Sequence, residues 1–147
     1  MKIAIGSDHA GFELKEYLKN YLLSKNLEVI DKGTYSAESV DYPDFGHAVA
    51  CAVKKQEVDF GIVICGSGNG INMSVNKHKG IRGALCWTPE IARLAKQHNN
   101  ANIIALPGRF VNKDTAVQIV EAYLTAQFEG GRHQRRIEKI DGEGECE

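Results

Sequence analysis

A cysteine followed by a glycine-rich loop is the strongest candidate for chemistry in this sequence. Cys65 ends an apolar run, and Gly66-Ser67-Gly68-Asn69-Gly70 follows it directly. Glycines at alternate positions let the backbone approach a ligand closely, and free N–H groups at the start of a following helix attract an anion. The loop therefore predicts a site for a phosphate, or for an oxyanion formed during a reaction. The alternative is a strand-to-helix turn that needs glycine for its geometry alone.

The thiol of Cys65 is a candidate nucleophile or general base, because a thiol beside a helix N-terminus gives thiolate more readily. A packed strand cysteine is the alternative, since free cysteines are commonly buried. Cys51 and Cys86 fit that alternative better, and Cys146 lies in the C-terminal tail. Ile71 stands where a dinucleotide-binding loop needs its third glycine, so the loop is a poor dinucleotide fingerprint.

Two histidines that stand beside polar residues are candidate acid–base groups. Asp8-His9 follows the first apolar run, and His98-Asn99 ends a segment with helical periodicity. A carboxylate can fix the tautomer of a histidine and support proton transfer. A lone histidine is more often structural, but two of them near one cysteine loop favour a catalytic site. Their spacing does not suggest metal ligands.

Arg132 and Arg136 stand four positions apart and share one face if this segment is helical. Two guanidinium groups on one face could hold a phosphate with bidentate hydrogen bonds. A solvated basic end that balances the acidic tail is the alternative. Nucleic-acid binding is disfavoured because residues 129–138 contain no aromatic side chain for base stacking.

The elements that must position these residues alternate between strand and helix. Short apolar runs predict strands, and apolar residues at helical spacing predict helices between them. The predicted strands are 2–6, 27–30, 60–65, 82–86 and 103–106, and the predicted helices cover 14–22, 43–53, about 69–77, 89–98 and 114–128. This alternation predicts a single-domain α/β fold: a Rossmann-like, doubly wound parallel sheet of about five strands with helices on both faces.

Ligands of such sheets bind outside the carboxyl ends of the strands. The rule places the chemistry at 6–11, 65–70, 86–88 and 106–109, which gathers Asp8, His9 and the Cys65 loop at one edge. We expect one domain over 1–140 and a frayed, acidic, glycine-rich tail over 141–147.

Composition excludes several classes of protein. The 147 residues are 43% hydrophobic and 25% charged, as in a folded globular domain rather than a disordered chain. Eighteen basic and nineteen acidic residues give a net charge of −1, without the basic excess typical of duplex binders. No apolar run approaches a membrane span, and the opening residues do not resemble a signal peptide. We therefore expect a cytoplasmic protein with no nucleic-acid or membrane partner.

Six motifs follow one another along the chain: GSDHAGF at 6–12, VDYPDF at 40–45, GIVICGSGNGI at 61–71, NK at 76–77 with GIR at 80–82, HN at 98–99, and GR at 108–109 with GGRH at 130–133. Taken together, they resemble the type B ribose-5-phosphate isomerase family, and the resemblance covers about residues 1–140. Six motifs in order are far more specific than one glycine loop.

The resemblance implies an aldose–ketose isomerase that interconverts ribose 5-phosphate and ribulose 5-phosphate through a cis-enediolate, in the non-oxidative pentose phosphate pathway. It implies Cys65 as general base, Ser67 in proton movement between oxygens, and His98, oriented by Asp8, as the ring-opening group. Residues implied in oxyanion stabilisation or substrate binding are Gly66, Gly68, Asn69, Gly70, Tyr42, Asn99, His9, Arg109, Arg132 and Arg136. It also implies no metal or organic cofactor, and a homodimer or homotetramer with active sites at the subunit interface.

Three other functions remain open from the sequence. The same family includes isomerases of allose and galactose phosphates, and pocket depth separates such substrates by only about 1–3 kcal/mol. A non-catalytic nucleotide-binding module is possible on the same fold. A redox-sensing thiol protein is also possible, with Cys86 as the only plausible neighbour of Cys65. Pro107 stands before Gly108-Arg109, where the pattern of the family that this sequence resembles has a glycine or another small residue.

Overall fold

A computed structural model describes residues 1–142, 144 and 146. Helices and strands alternate along the chain until the last two helices, which follow one another. In chain order the elements are β1 (Lys2–Ser7), α1 (Phe12–Ser24), β2 (Glu28–Asp31), α2 (Tyr42–Lys54), β3 (Phe60–Cys65), α3 (Asn69–Val75), β4 (Gly83–Leu85), α4 (Pro89–Asn99), β5 (Ile103–Pro107), α5 (Lys113–Thr125) and α6 (Arg132–Glu138).

The five strands form one parallel sheet in the order β2-β1-β3-β5-β4. Helices α1, α4 and α5 pack on one face, and α2 and α3 pack on the other. Every residue of β3 is buried, as expected for a strand covered on both faces. The expected fold class is therefore confirmed.

Two differences from the sequence expectation affect the site. The helix predicted over 114–128 ends at Thr125, because Ala126 takes an extended conformation and the chain turns towards α4. There the backbone N–H of Glu129 donates to the carbonyl of Gln97 at 3.0 Å. Also, β5 lies between β3 and β4, which makes β4 an edge strand. The predicted ligand segment 86–88 is thereby separated from the end of β3.

A buried ion pair supports the segment beside β1. The ammonium of Lys15 is fully buried and lies 2.6 Å from a carboxylate oxygen of Asp31. Asp31 also accepts from the backbone N–H of Gly33, which in turn places the Gly33 carbonyl 2.6 Å from the N–H of Ser7. The end of β1, which leads into Asp8, is therefore held by the segment that follows β2, and the ion pair fixes that segment.

The prediction of a frayed tail stays a prediction, because positions 143, 145 and 147 lie outside the described residues. No helix in the described part of the chain is long and apolar enough to cross a membrane.

Candidate active site

A cleft of about 500 Å³ opens at the carboxyl ends of β1, β3 and β5. These strands are neighbours, and the connections that follow β1 and β3 leave on opposite faces of the sheet. Ligands of doubly wound folds bind at the carboxyl ends of two such strands. The cleft is lined by Asp8, Tyr42, Cys65, Gly66, Ser67, Gly70, Arg109 and Phe110. Seven of these eight residues are among those singled out from the sequence.

Cys65 is the one thiol among the residues that line the cleft. It is the last residue of β3 and is 5% exposed, and its carbonyl accepts from the N–H of Gly108 at 2.8 Å. Cys86 differs, because burial raises the pKa of its thiol to about 12 and keeps it protonated. The cleft therefore reaches Cys65 and not Cys86, and the catalytic role of Cys65 stays a prediction.

The glycines after Cys65 leave room for side chains from other segments. A Cβ at Gly66 would lie 3.0 Å from the Arg109 guanidinium, and a Cβ at Gly70 would lie 2.5 Å from the Tyr42 ring. The backbone N–H groups of residues 66, 67, 68 and 70 donate to no protein acceptor in the described part of the chain. They are consequently available to an anionic ligand in the cleft.

Gly68 has both a backbone and a steric reason to be glycine. Its φ is +78°, and a Cβ there would lie 2.5 Å from Leu85 and 3.2 Å from the backbone of Pro107. Gly80 has a similar φ of +89°, but no atom of the described part of the chain lies within 4 Å of its Cβ position. Alanine variants at the two positions therefore separate two contributions to stability: the cost of a side chain at positive φ, and the cost of a steric clash.

We expect Gly80→Ala to lower the free energy of unfolding by about 1–2 kcal/mol and to leave turnover unchanged. Gly68→Ala should cost more and should also lower turnover, because the loop must shift to relieve the clash. Urea unfolding and steady-state assays on both variants check this. Equal stability losses with unaltered turnover would show that the Gly68 loop tolerates a side chain.

Asp8 and His9 lie at the end of β1, next to the end of β3. The N–H of Asp8 donates to the carbonyl of Ile64 at 3.2 Å, and its carboxylate accepts from the N–H of Gly11 at 3.1 Å. Nδ1 of His9 accepts from the N–H of Val40 at 3.2 Å. An accepting Nδ1 is unprotonated in the neutral ring, so Nε2 carries the proton and can donate to an anion.

A second group of predicted residues lies elsewhere on the same chain. His98, at the end of α4, stacks on His133 of α6 with ring centroids 4.3 Å apart and an angle of 11° between the rings. Its Nε2 lies 3.7 Å from a carboxylate oxygen of Glu129. Among the described residues, no hydrogen bond or ion pair joins Asp8 to His98. The pairing implied by the resemblance is therefore not made within one chain.

The remaining predicted residues accompany this second group or the loop. Asn99 lines a separate cavity of about 320 Å³ together with Arg82 and Asn76. Arg132 and Arg136 are both exposed and one turn apart in α6, so they do share a face of a helix. Asn69 begins α3, and its N–H donates to Oγ of Ser67 at 3.3 Å.

Comparison with known proteins gives the family. Residues 3–140 match the family model described as Ribose/Galactose Isomerase. The chain belongs to the ribose/galactose isomerase family. Ribose-5-phosphate isomerase B of Escherichia coli strain K12 is 50% identical over 139 residues, which are 95% of this chain and 93% of that protein. The resemblance expected from the motifs is confirmed, as is the assignment as an isomerase.

Solved structures of this family have the same fold. The ribose 5-phosphate isomerase of Thermotoga maritima is 57% identical, with a TM-score of 0.94 and coverage of 95% of this chain and 97% of that one. Ribose-5-phosphate isomerase B from Mycoplasma genitalium, solved with bound ribulose-5-phosphate, is 47% identical, with a TM-score of 0.91 and coverage of 95% and 93%.

Two features of this family member were not found from the sequence. Phe110 lines the cleft and is 76% exposed. Its position directly after Arg109, at the carboxyl end of β5, was the available signal. Glu129 lies near both stacked histidines, and no local pattern marks it, because the contact depends on how the segment after α5 returns to α4.

A neighbouring cavity of about 510 Å³ between α1 and the start of α5 is lined by neither thiol nor imidazole.

Proposed function

We propose that this chain interconverts ribose 5-phosphate and ribulose 5-phosphate through a cis-enediolate, without a metal or an organic cofactor. The observation that carries the proposal is the Cys65 thiol in a cleft whose loop amides are unengaged. The identity to ribose-5-phosphate isomerase B of Escherichia coli supports this substrate, as does the Mycoplasma genitalium structure with bound ribulose-5-phosphate. We also propose a cytoplasmic location and a role in the non-oxidative pentose phosphate pathway.

Ring opening comes first, because the aldose is mostly a closed furanose. His98 takes the proton from the C1 hydroxyl as the bond between C1 and the ring oxygen breaks, and then returns that proton to the ring oxygen. Both oxygens are attached to C1, so one imidazole can reach both. The half-exposed imidazole of His98 can both accept and donate a proton, which suits this exchange.

Isomerisation then moves one proton between two carbons. The Cys65 thiolate removes the C2 proton of the open aldose and later delivers it to C1 of the enediolate. Negative charge develops on the oxygen at C1, where the unengaged amides of residues 66, 67, 68 and 70 can donate hydrogen bonds to it. Each such donor is worth roughly 3–4 kcal/mol in comparable oxyanion holes. We assign to the Ser67 hydroxyl the movement of the proton between the two oxygens.

The remaining predicted residues bind the substrate. We assign the phosphate to His9, Arg132 and Arg136, with Arg109 as a further cation in the cleft. Tyr42 and Asn99 are assigned to the sugar hydroxyls. Tyr42 suits this role because its ring packs over Gly70 and remains 41% exposed at the cleft.

We propose that two copies of the chain complete each site. Support comes from the separation of the two residue groups: the Cys65 cleft is at the strand ends, whereas His98, Arg132 and Arg136 lie at the ends of α4 and α6. Exposed aromatic side chains near the strand ends, Phe110 and Trp87, also suit burial against a second copy. A homodimer is the smallest assembly that joins the groups, and a homotetramer could contain the same pair.

The direct test is turnover of ribose 5-phosphate by the wild-type protein, with a chelator and a phosphine reductant present. We expect activity, and a kcat/KM for ribose 5-phosphate at least tenfold above those for allose 6-phosphate and galactose 6-phosphate, within the roughly 10–200-fold that one extra carbon supplies. A higher kcat/KM for either hexose phosphate would assign the chain to hexoses. Binding of the sugar phosphates without any turnover would favour a binding module.

A further inference from the structure

His98 is part of a compact three-residue cluster that the proposed mechanism does not otherwise use. Its ring lies nearly parallel to that of His133, which is in the first turn of α6 and is 8% exposed. The segment that carries Glu129 is fixed to α4 by the hydrogen bond from its N–H to the carbonyl of Gln97. The cluster therefore brings the linker after α5 and the first turn of α6 against the end of α4.

The carboxylate of Glu129 lies near both imidazoles and forms a hydrogen bond with neither. One of its oxygens lies 3.7 Å from Nε2 of His98 and 3.5 Å from Nε2 of His133. These are ion-pair distances, and Nε2 of His133 has no hydrogen-bond partner among the residues that the structure describes. Negative charge at this distance stabilises whichever ring takes up a proton.

Charge around the cluster directs that proton to His98. Desolvation lowers the pKa of His133, the neighbouring His98 and Arg132 lower it further, and Arg136 contributes in the same direction, whereas only Glu129 raises it. The pKa of His133 therefore lies below its ordinary value, which favours the neutral form of this ring. Two stacked imidazolium rings would repel each other, but one imidazolium on a neutral ring does not meet that penalty.

The same three groups have the spacing of metal ligands, all within 4.8 Å of one another. Their orientation favours charge control instead. Lone pairs of two parallel stacked rings point in parallel directions rather than converging on one ion, and two arginines of α6 act on the same cluster. A divalent cation there would require the rings to unstack against that positive charge.

We propose that Glu129 and His133 are positioning residues for His98. His133 holds the His98 ring in one orientation by stacking, and Glu129 stabilises the imidazolium that forms between the two proton transfers of ring opening. The proposal rests on the ring-opening role assigned to His98 above. It assigns no bond-making step to either residue, since the proton passes only between His98 and the sugar oxygens.

The test compares two substrates that differ in the need for ring opening. Ribose 5-phosphate closes through its C4 hydroxyl, whereas 4-deoxyribose 5-phosphate lacks that hydroxyl and cannot form the furanose. Glu129→Gln should lower kcat for ribose 5-phosphate by about tenfold, less than the roughly 10²–10⁴-fold of a group that transfers the proton itself. It should leave kcat for the 4-deoxy substrate unchanged. Glu138→Gln removes an exposed carboxylate of α6 and is the matched control.

The pH profile gives a second readout that a merely structural role would not move. Without the carboxylate the imidazolium is less stable, so the acid limb of kcat for ribose 5-phosphate shifts to lower pH in Glu129→Gln. For His133, the alanine variant should lose about tenfold in kcat for ribose 5-phosphate, and the phenylalanine variant should recover most of it, because a benzene ring also stacks.

Equal losses on both substrates would overturn the proposal while leaving the isomerase function intact. So would a His133→Phe variant as slow as His133→Ala. Nuclear magnetic resonance titration of the histidine rings decides the charge effect without any turnover: we expect His98 to lose its proton at lower pH in Glu129→Gln than in the wild type. An unchanged titration would reject the role of Glu129, even if the wild type turned over neither sugar.

Discussion

Replacing Cys65 with alanine should lower turnover of ribose 5-phosphate by roughly 10²–10⁴-fold, the contribution typical of a general base. The thiol is at the end of β3, in the cleft and beside unengaged loop amides, so its removal leaves the C2 proton without an acceptor. Binding should change little, because the phosphate and hydroxyl contacts are assigned to other residues. Steady-state kinetics and calorimetry with ribose 5-phosphate measure the two effects separately.

Cys51→Ala is the matched control for the loss of a thiol. Cys51 is in α2 and does not line the cleft, and alanine is well tolerated in a helix. Its variant should keep wild-type kinetics. Unchanged turnover in Cys65→Ala would remove Cys65 from the mechanism. A loss that appeared equally in both variants would indicate a general effect of thiol removal on the fold.

Mixing two inactive variants should restore activity if each site is built from two copies. Chains with Cys65→Ala and chains with His98→Ala are unfolded together in urea and refolded as a mixture. In a twofold dimer, half of the assemblies are mixed, and one of their two sites receives both native residues. Activity should therefore rise from background to about a quarter of the wild-type value.

The double variant Cys65→Ala/His98→Ala provides the control, because it makes the opposite prediction for mixing with the wild type. If sites are shared, both sites of a mixed dimer lack one residue, and an equal mixture keeps about a quarter of the wild-type activity. If each site lies within one chain, about half remains. No restoration in the first mixture together with half activity in the second would contradict the shared site.

The periodicity of the sequence was sufficient for the fold class and for one half of the candidate site. Alternating apolar runs fixed which segments are strands, and the strand ends then located Asp8 and the Cys65 loop at a common edge. This worked because a parallel sheet places the carboxyl ends of all its strands together. The start of helix α3 and the extent of β3 needed no information beyond the local sequence.

The hydrophobic periodicity of the sequence does not determine the order of the strands in the sheet. Both 86–88 and 106–109 follow strands, and sequence reasoning treated them alike. The insertion of β5 between β3 and β4 brings Arg109 and Phe110 to the cleft and leaves Cys86 buried and away from it. Whether β4 or β5 lies next to β3 depends on how α4 and α5 pack on the sheet. Those contacts join residues that are distant in the chain.

The sequence by itself determined the five strands and helices α1 to α5 in outline, the carboxyl edge of the sheet and the chemical groups of the isomerase, since these depend on residue type and local spacing. Only the tertiary structure decided how the groups are distributed. It separates the Cys65 cleft from His98, and it brings Glu129 and His133 against that histidine. The physical reason is that the return of the chain after Thr125 is fixed by long-range packing and by the contact with Gln97, which leave no periodic trace in the sequence.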